Sequence, residues 1–336
     1  MKKRNIYRER NLRFPNKHSR TRSLILSSRF VWLVWFVVSL FFINIFYSCS
    51  RQRVSDGQII IAVSIPPQAW FVSQIAGDKA DVIVLVPAGQ NPHNYEPTPR
   101  QIQALSNASA WILSGAEFEI SLHPKIASLF PDLPIIDGTL GVNFRYLEDH
   151  ADDYNDQSHT HDNNADILNS PLHNHHYDRH TWLGREPAKT MAVLVTFALI
   201  SHDSGNVNYY YQRYIDVIEK IDTEFDELQI SLAPLKGKSV FVYHPSFGYF
   251  LDEFGIIQEA VETGGKEPTA RQLNSLIEKI NAEKPAAIFV QTQFPVNAAK
   301  TIADTVGAQV IELDPLAEDW LENIKHMGQI LQNIIQ

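Results

Sequence analysis

The chain has 336 residues, 44% of them hydrophobic, and a formal charge of −9. That length supports one large domain or two ordinary lobes with substantial cores. Its single cysteine excludes an internal disulfide, and its acidic balance disfavours nonspecific nucleic-acid binding.

The charge is unevenly spread. Residues 1–29 hold ten Lys or Arg and one acid, and the apolar run FVWLVWFVVSLFFINIFY occupies 30–47. A basic flank before an apolar core is the order of an export signal, so residues 1–50 read as a targeting segment. Cys49 follows the run directly. Three readings stay open: lipid attachment at Cys49, release of a soluble chain after cleavage, or a retained membrane helix. The 286 residues beyond carry 19 basic and 37 acidic groups, a formal charge of −18. Such a surface suits attraction of cations, and equally suits solubility.

IIIAVSI (59–65) and ADVIVLVP (80–87) are short apolar runs that end at prolines and read as strands. QAWFVSQIAG between them has helical spacing, and strand–helix–strand implies a parallel α/β layer. A helix is predicted over 98–108, with Thr98 as its cap and Pro99 in its first turn, followed by the strand AWILSG. EPAKTMAVLVTFALI and the stretch from Tyr209 to Ile230 read as further helices. From Lys238 a second α/β unit begins, with strands SVFVYH, AAIFVQ and QVIEL alternating with helices PTARQLNSLIEKINAEK and NAAKTIADTVG. The fold expected is two Rossmann-like α/β lobes with parallel sheets.

Between the units lies a polar tract of Asp, Asn and Ser that carries His150, His159, His161, His173, His175 and His176, with His180 at its edge. It is predicted to be a disordered loop over 149–178. Imidazole suits zinc, copper and nickel, so the tract reads as a metal-collecting segment, against the plainer alternative of a low-complexity linker. Three further residues follow predicted strands: His93 after VPAGQNP, His244 at the end of SVFVYH, and Asp314 after QVIEL. In parallel α/β sheets such loops gather at the carboxyl edge, where ligands bind. Three imidazoles and a carboxylate make a tetrahedral zinc set. Each also has an ordinary reading: a turn residue for His93, a surface histidine for His180, a packed polar group for His244, a helix cap for Asp314.

The wording of five segments carries more. VPAGQNPHNYEPTPRQ, HTWLGREPAKTMA, FVYHPSFGYFLDEFGI, GGKEPTARQLNSLIEKI and ELDPLAEDW, in this order, resemble the bacterial zinc-binding solute proteins of metal ABC importers, the ZnuA/TroA-like cluster. The resemblance runs from about Ile59 to the C-terminus, interrupted by the polar tract. It implies two lobes joined by a long rigid helix, with a metal held between them. The lobes would span 51–185 and 206–336, and the linking helix 186–205. It further implies His93, His180, His244 and Asp314 as ligands, with water an alternative to Asp314 and His175 or His176 alternatives to His180. Manganese-type relatives commonly present Glu at the third position, so His244 favours zinc. YDRHTWLGREPA departs from the common DPHxWLxP pattern by lacking the proline before the histidine.

The function this implies is extracytoplasmic zinc capture by a monomer and delivery to a cognate ABC permease and its ATPase, with an auxiliary metal chaperone as a further partner. A manganese or iron carrier and an adhesin-like lipoprotein are the alternatives. A zinc hydrolase is weaker, because four protein ligands close the shell and neither Glu117 nor Glu119 sits in a general-base motif.

Overall fold

A computed structural model describes residues 58–147, 177–262, 270–285, 287–294 and 296–334. The expected targeting segment, Cys49 and the six histidines from His150 to His176 lie outside the described residues. Among the described residues no helix is long and apolar enough to cross a membrane.

The first unit runs β1 (Ile59–Val63), α1 (Pro66–Ala76), β2 (Ala80–Val84), α2 (Pro99–Leu105), β3 (Ala110–Leu113), α3 (Glu117–Leu129) and β4 (Ile135–Asp137). Its strands form a parallel sheet in the order β2-β1-β3-β4. Two helices follow, α4 (Arg185–His202) and α5 (Val207–Ser231). The second unit runs β5 (Ser239–Val242), α6 (Gly248–Glu253), β6 (Ile257–Ala260), α7 (Ala270–Glu283), β7 (Ala287–Gln291), α8 (Val296–Val306), β8 (Gln309–Leu313) and α9 (Trp320–Ile334). Its parallel sheet has the order β6-β5-β7-β8, the same topology as the first. The expected α/β architecture of two parallel sheets is the one observed.

Local chemistry explains the elements. Thr98 caps α2 through its hydroxyl while Gln101 reaches back to the Thr98 amide, a reciprocal capping box, and Pro99 fills the first turn. Helix α1 begins on Pro66-Pro67, where missing amides cost nothing. The fully buried Gln68 then acts as a staple. Its Oε1 accepts from Ser64 N at 2.8 Å and Ile65 N at 3.2 Å, while its Nε2 donates to Leu113 O at 3.0 Å. Gln68 thereby ties the exits of β1 and β3 together. Gln68→Leu strands these buried groups and is expected to lower stability by about 3 kcal/mol in urea unfolding.

The stretch expected to link the lobes is covered by α4, and α5 continues the connection. Helix α5 packs on α1 of the first unit and on α9 of the second. It does so through one buried face of Tyr210, Val217, Ile221, Phe225 and Leu228. Phe71 of α1 and Phe225 of α5 both meet the fully buried Trp320 ring of α9, at centroid distances of 5.0 and 6.4 Å. One continuous core therefore runs from the first sheet to the second. This fixes the two carboxyl edges against each other rather than leaving them on a loose hinge.

Candidate metal centre

Each sheet delivers a histidine from the exit of a strand. After β2 the chain makes a short turn over Pro92–Asn94, and Asn91 Oδ1 accepts from His93 N at 3.0 Å, which fixes the backbone that carries His93. After β5, His244 N donates to Gln291 Oε1 at the end of β7, at 3.2 Å. His180 precedes the turn Thr181–Leu183, which is anchored by Trp182 Nε1 donating to Pro315 O at 2.8 Å.

The three rings meet. His93 Nε2 lies 2.9 Å from His244 Nε2, and His244 Nε2 lies 3.3 Å from His180 Nε2. A ligand atom from each falls within 4.8 Å of the other two. Tetrahedral zinc with Zn–N bonds of about 2.0–2.1 Å holds its nitrogens roughly 3.3 Å apart, so a small opening of the His93–His244 pair admits the ion. Asp314 stands outside this group. Its Oδ1 accepts from Gln293 Nε2 at 2.7 Å and from Leu316 N at 2.9 Å, which engages it with its own loop.

Every one of the three rings is held from behind by a carboxylate. His93 Nδ1 is 3.0 Å from Glu117 Oε2, His180 Nδ1 is 2.8 Å from Asp178 Oδ1, and His244 Nδ1 is 2.6 Å from Glu262 Oε2. An ionised carboxylate only accepts, so each Nδ1 carries a proton and each Nε2 turns its lone pair toward the common centre. Three lone pairs aimed at one point repel one another unless a proton or a cation sits among them. Carboxylates of this kind fix tautomer and orientation in metal sites and raise the basicity of the ligand. Sequence reasoning missed all three; the Asp178-Arg179-His180 spacing was the one visible signal. Asp178 falls inside the expected disordered loop, yet it is fully buried, because its partners are the site itself.

Burial pulls the His93 imidazole down, but the hydrogen bond and charge of Glu117, backed by Glu262 and Asp178, leave it above its ordinary value. Burial pushes Glu117 up, and the His93 hydrogen bond followed by the charges of His93 and His180 brings it down to about 2. Burial dominates at His244 and holds it down at about 4, against the hydrogen bond that its Nδ1 donates to Glu262. His93 therefore holds a proton to higher pH than His244 does, and an incoming cation competes with that proton. In Glu117→Gln, burial acts on His93 without the opposing carboxylate. The number of protons released per zinc near pH 6.5 is then expected to fall, as read by titration calorimetry in buffers of different ionisation enthalpy. Equal proton release in the two proteins would contradict this assignment.

Glu119 is a further buried acid beside the site. Its Oε1 accepts from Ser114 N and Ser114 Oγ at 2.7 and 2.8 Å, and its Oε2 from Gly115 N at 2.8 Å. Gly115 has φ of 88°, which a side chain would strain, and its carbonyl accepts from Arg179 Nη1 at 2.9 Å. Glu119 thus braces the loop that carries Glu117. The cleft over the three histidines is bounded by Asn91, Glu117, Arg179 and Phe294, and holds a cavity of about 20 Å³, room for one water-sized ligand.

The family model for the zinc-uptake complex component A, periplasmic (ZnuA), matches residues 61–334. The chain belongs to the ZnuA family. A zinc-binding lipoprotein, AdcA, of Streptococcus pneumoniae is 25% identical over 284 residues, covering 83% of this chain and 54% of that protein. The chain therefore spans about half the length of the streptococcal relatives it matches. The high-affinity zinc uptake system protein ZnuA of Yersinia pestis is 25% identical over 265 residues, covering 76% of this chain and 82% of that one. A crystal structure of a ZnuA superposes with a TM-score of 0.71 at 31% identity, covering 82% of this chain and 99% of the other. The family assignment agrees with the resemblance of the five motifs and with the paired parallel sheets.

Proposed function

We propose that this ZnuA-family chain captures zinc outside the cytoplasm and hands it to an ABC permease and its ATPase. The observation that carries the reading is the convergence of His93, His180 and His244 with their Nδ1 atoms each on a carboxylate. A set of three imidazoles selects a borderline ion such as zinc over manganese, which prefers oxygen. The names of the relatives, a zinc-binding lipoprotein and a zinc uptake protein, agree with it. We assign the fourth coordination position to water, since Asp314 is engaged by Gln293 and Leu316 and the adjoining cavity fits one such molecule. An exchangeable fourth ligand suits a carrier, which must let its cargo go.

The same open position is found in zinc hydrolases, but those need a base on the bound water. Glu117 is committed to His93 and Glu119 to Ser114 and Gly115. We therefore read the chain as a carrier, acting as a monomer. The histidines from His150 to His176 act in this reading as an auxiliary collector. A variant lacking 150–176 is expected to lose weak zinc equivalents while keeping the tight one; unchanged stoichiometry and unchanged uptake would dismiss that role.

The reading is tested by loading the metal-free protein with one equivalent each of zinc and manganese and measuring the bound metal by elemental analysis. Zinc is expected at the tight site. Preferential manganese would overturn the assignment.

A further inference from the structure

We propose that Arg145 is a positioning residue for metal retention, clasping the carboxylate that orients His180 to a helix of the opposite lobe. The proposal rests on the zinc reading above and deepens it. Arg145 lies beyond β4 in the first lobe, and its guanidinium is divided between two acids. Nη1 donates to Asp178 Oδ2 at 2.7 Å and Nε donates to Asp252 Oδ2 at 2.9 Å. The other oxygen of Asp178 accepts from His180 N at 2.9 Å and holds His180 Nδ1 at 2.8 Å. An unbroken line of charge-assisted hydrogen bonds thus runs from His180 through Asp178 and Arg145 to Asp252 on α6 in the second lobe.

Two further features of α6 serve the same residue. A Cβ at Gly248 would lie 1.8 Å from Arg145 Nη1, so the glycine is what lets the guanidinium rest on the start of the helix. Tyr249 Oη accepts from Arg145 N at 3.0 Å and donates to Asp178 O at 3.0 Å. Asp178 N in turn donates to Arg145 O at 2.9 Å, and the flanking Tyr146 and Tyr177 form an antiparallel bridge. Gly248, Tyr249 and Asp252 therefore grip both strands of one short stem, the stem that ends in a metal-facing histidine.

Helix α6 begins four residues after His244, so the second lobe presents its own histidine and the clasp on one segment. While the clasp is closed, Asp178 is pinned from two sides and the His180 ring has one orientation. When Arg145 loses Asp252, Asp178 is no longer tied to α6 through the guanidinium, so opening of the clasp and loosening of the His180 ring become one event.

Asp252 makes this testable without disturbing the site. Its side chain is 52% exposed, whereas Asp178 has none of its side chain accessible. Exposed ion pairs contribute little to stability, so a merely structural role predicts a silent Asp252→Asn. The measurement is the rate of zinc transfer from the full-length loaded protein to excess chelator, with the melting temperature of the metal-free protein followed alongside. Asp252→Asn is expected to speed release by about three- to tenfold, below the roughly 10–100-fold seen when a ligand-orienting group itself is lost. Arg145→Lys, which keeps charge but cannot span two acids, is expected to do the same, and Asp252→Asn to add nothing in that background. Release at the wild-type rate in Asp252→Asn, or additive effects of the two substitutions, would overturn the proposal. Should Arg145→Lys fail to fold, Asp252→Asn decides alone. A wild-type protein that takes up no zinc would instead refute the zinc reading.

Discussion

Replacing His180 or His244 by alanine is expected to weaken zinc binding by about a hundredfold or more. Structural zinc sets are worth roughly 10–16 kcal/mol, and each nitrogen donor carries a comparable share of it. Competition against a chelator of known affinity measures the loss, best in the variant without residues 150–176, where the accessory histidines cannot hide it. Asp314→Ala is the contrast. Its Oδ1 is held by Gln293 and Leu316 and it stands apart from the three rings, so affinity is expected to stay within about threefold of wild type. A large loss at Asp314 with little at His180 would mean that the metal sits elsewhere in the cleft. His244→Ala also leaves Glu262 buried without its ring partner, so its melting temperature should fall more than that of His180→Ala.

The second large effect concerns groups that never touch the metal. Asp178→Asn and Glu262→Gln keep size and lose charge, and each is expected to reduce zinc affinity by about 10–100-fold, the usual consequence of losing a carboxylate behind a ligating histidine. The reason is geometric. An amide can present its NH₂ to Nδ1, which favours the tautomer with the proton on Nε2 and turns a donor hydrogen at the metal. Unchanged affinity in both variants would show that packing alone orients the rings.

Most strands and helices were legible because their signals are local. Thr98-Pro99 with Gln101 three residues on, the proline-terminated runs at 59–65 and 80–87, and the alternating elements after Lys238 all state their structure within ten residues or so. Strands β4 and β6 and helices α3, α6 and α9 were not read; α3 contains Pro124 in its interior, which as sequence argues for a break. The histidines were different. Those in hydrogen-bond contact are 151 and 64 positions apart in the chain, so no spacing rule joins them; strand-exit placement suggested His93 and His244, and the wording of the surrounding motifs joined all three. Their carboxylate partners were out of reach for another reason. Asp178 reads as one more acid in a polar tract, Glu117 as an acid outside any general-base motif, and Glu262 carries no signal of its own; contact with a ring nitrogen gives each its role. Asp314 was expected among the ligands from its place after β8 and from the motif resemblance, with water as the alternative; in the structure its Oδ1 accepts from Gln293 and Leu316.

X-ray absorption at the zinc edge, on protein loaded with one equivalent, tests the central claim most directly. The account predicts three imidazole nitrogens and one light oxygen-type ligand at about 2.0–2.1 Å. Fewer than three imidazoles, or a shell dominated by carboxylate oxygen, would contradict it.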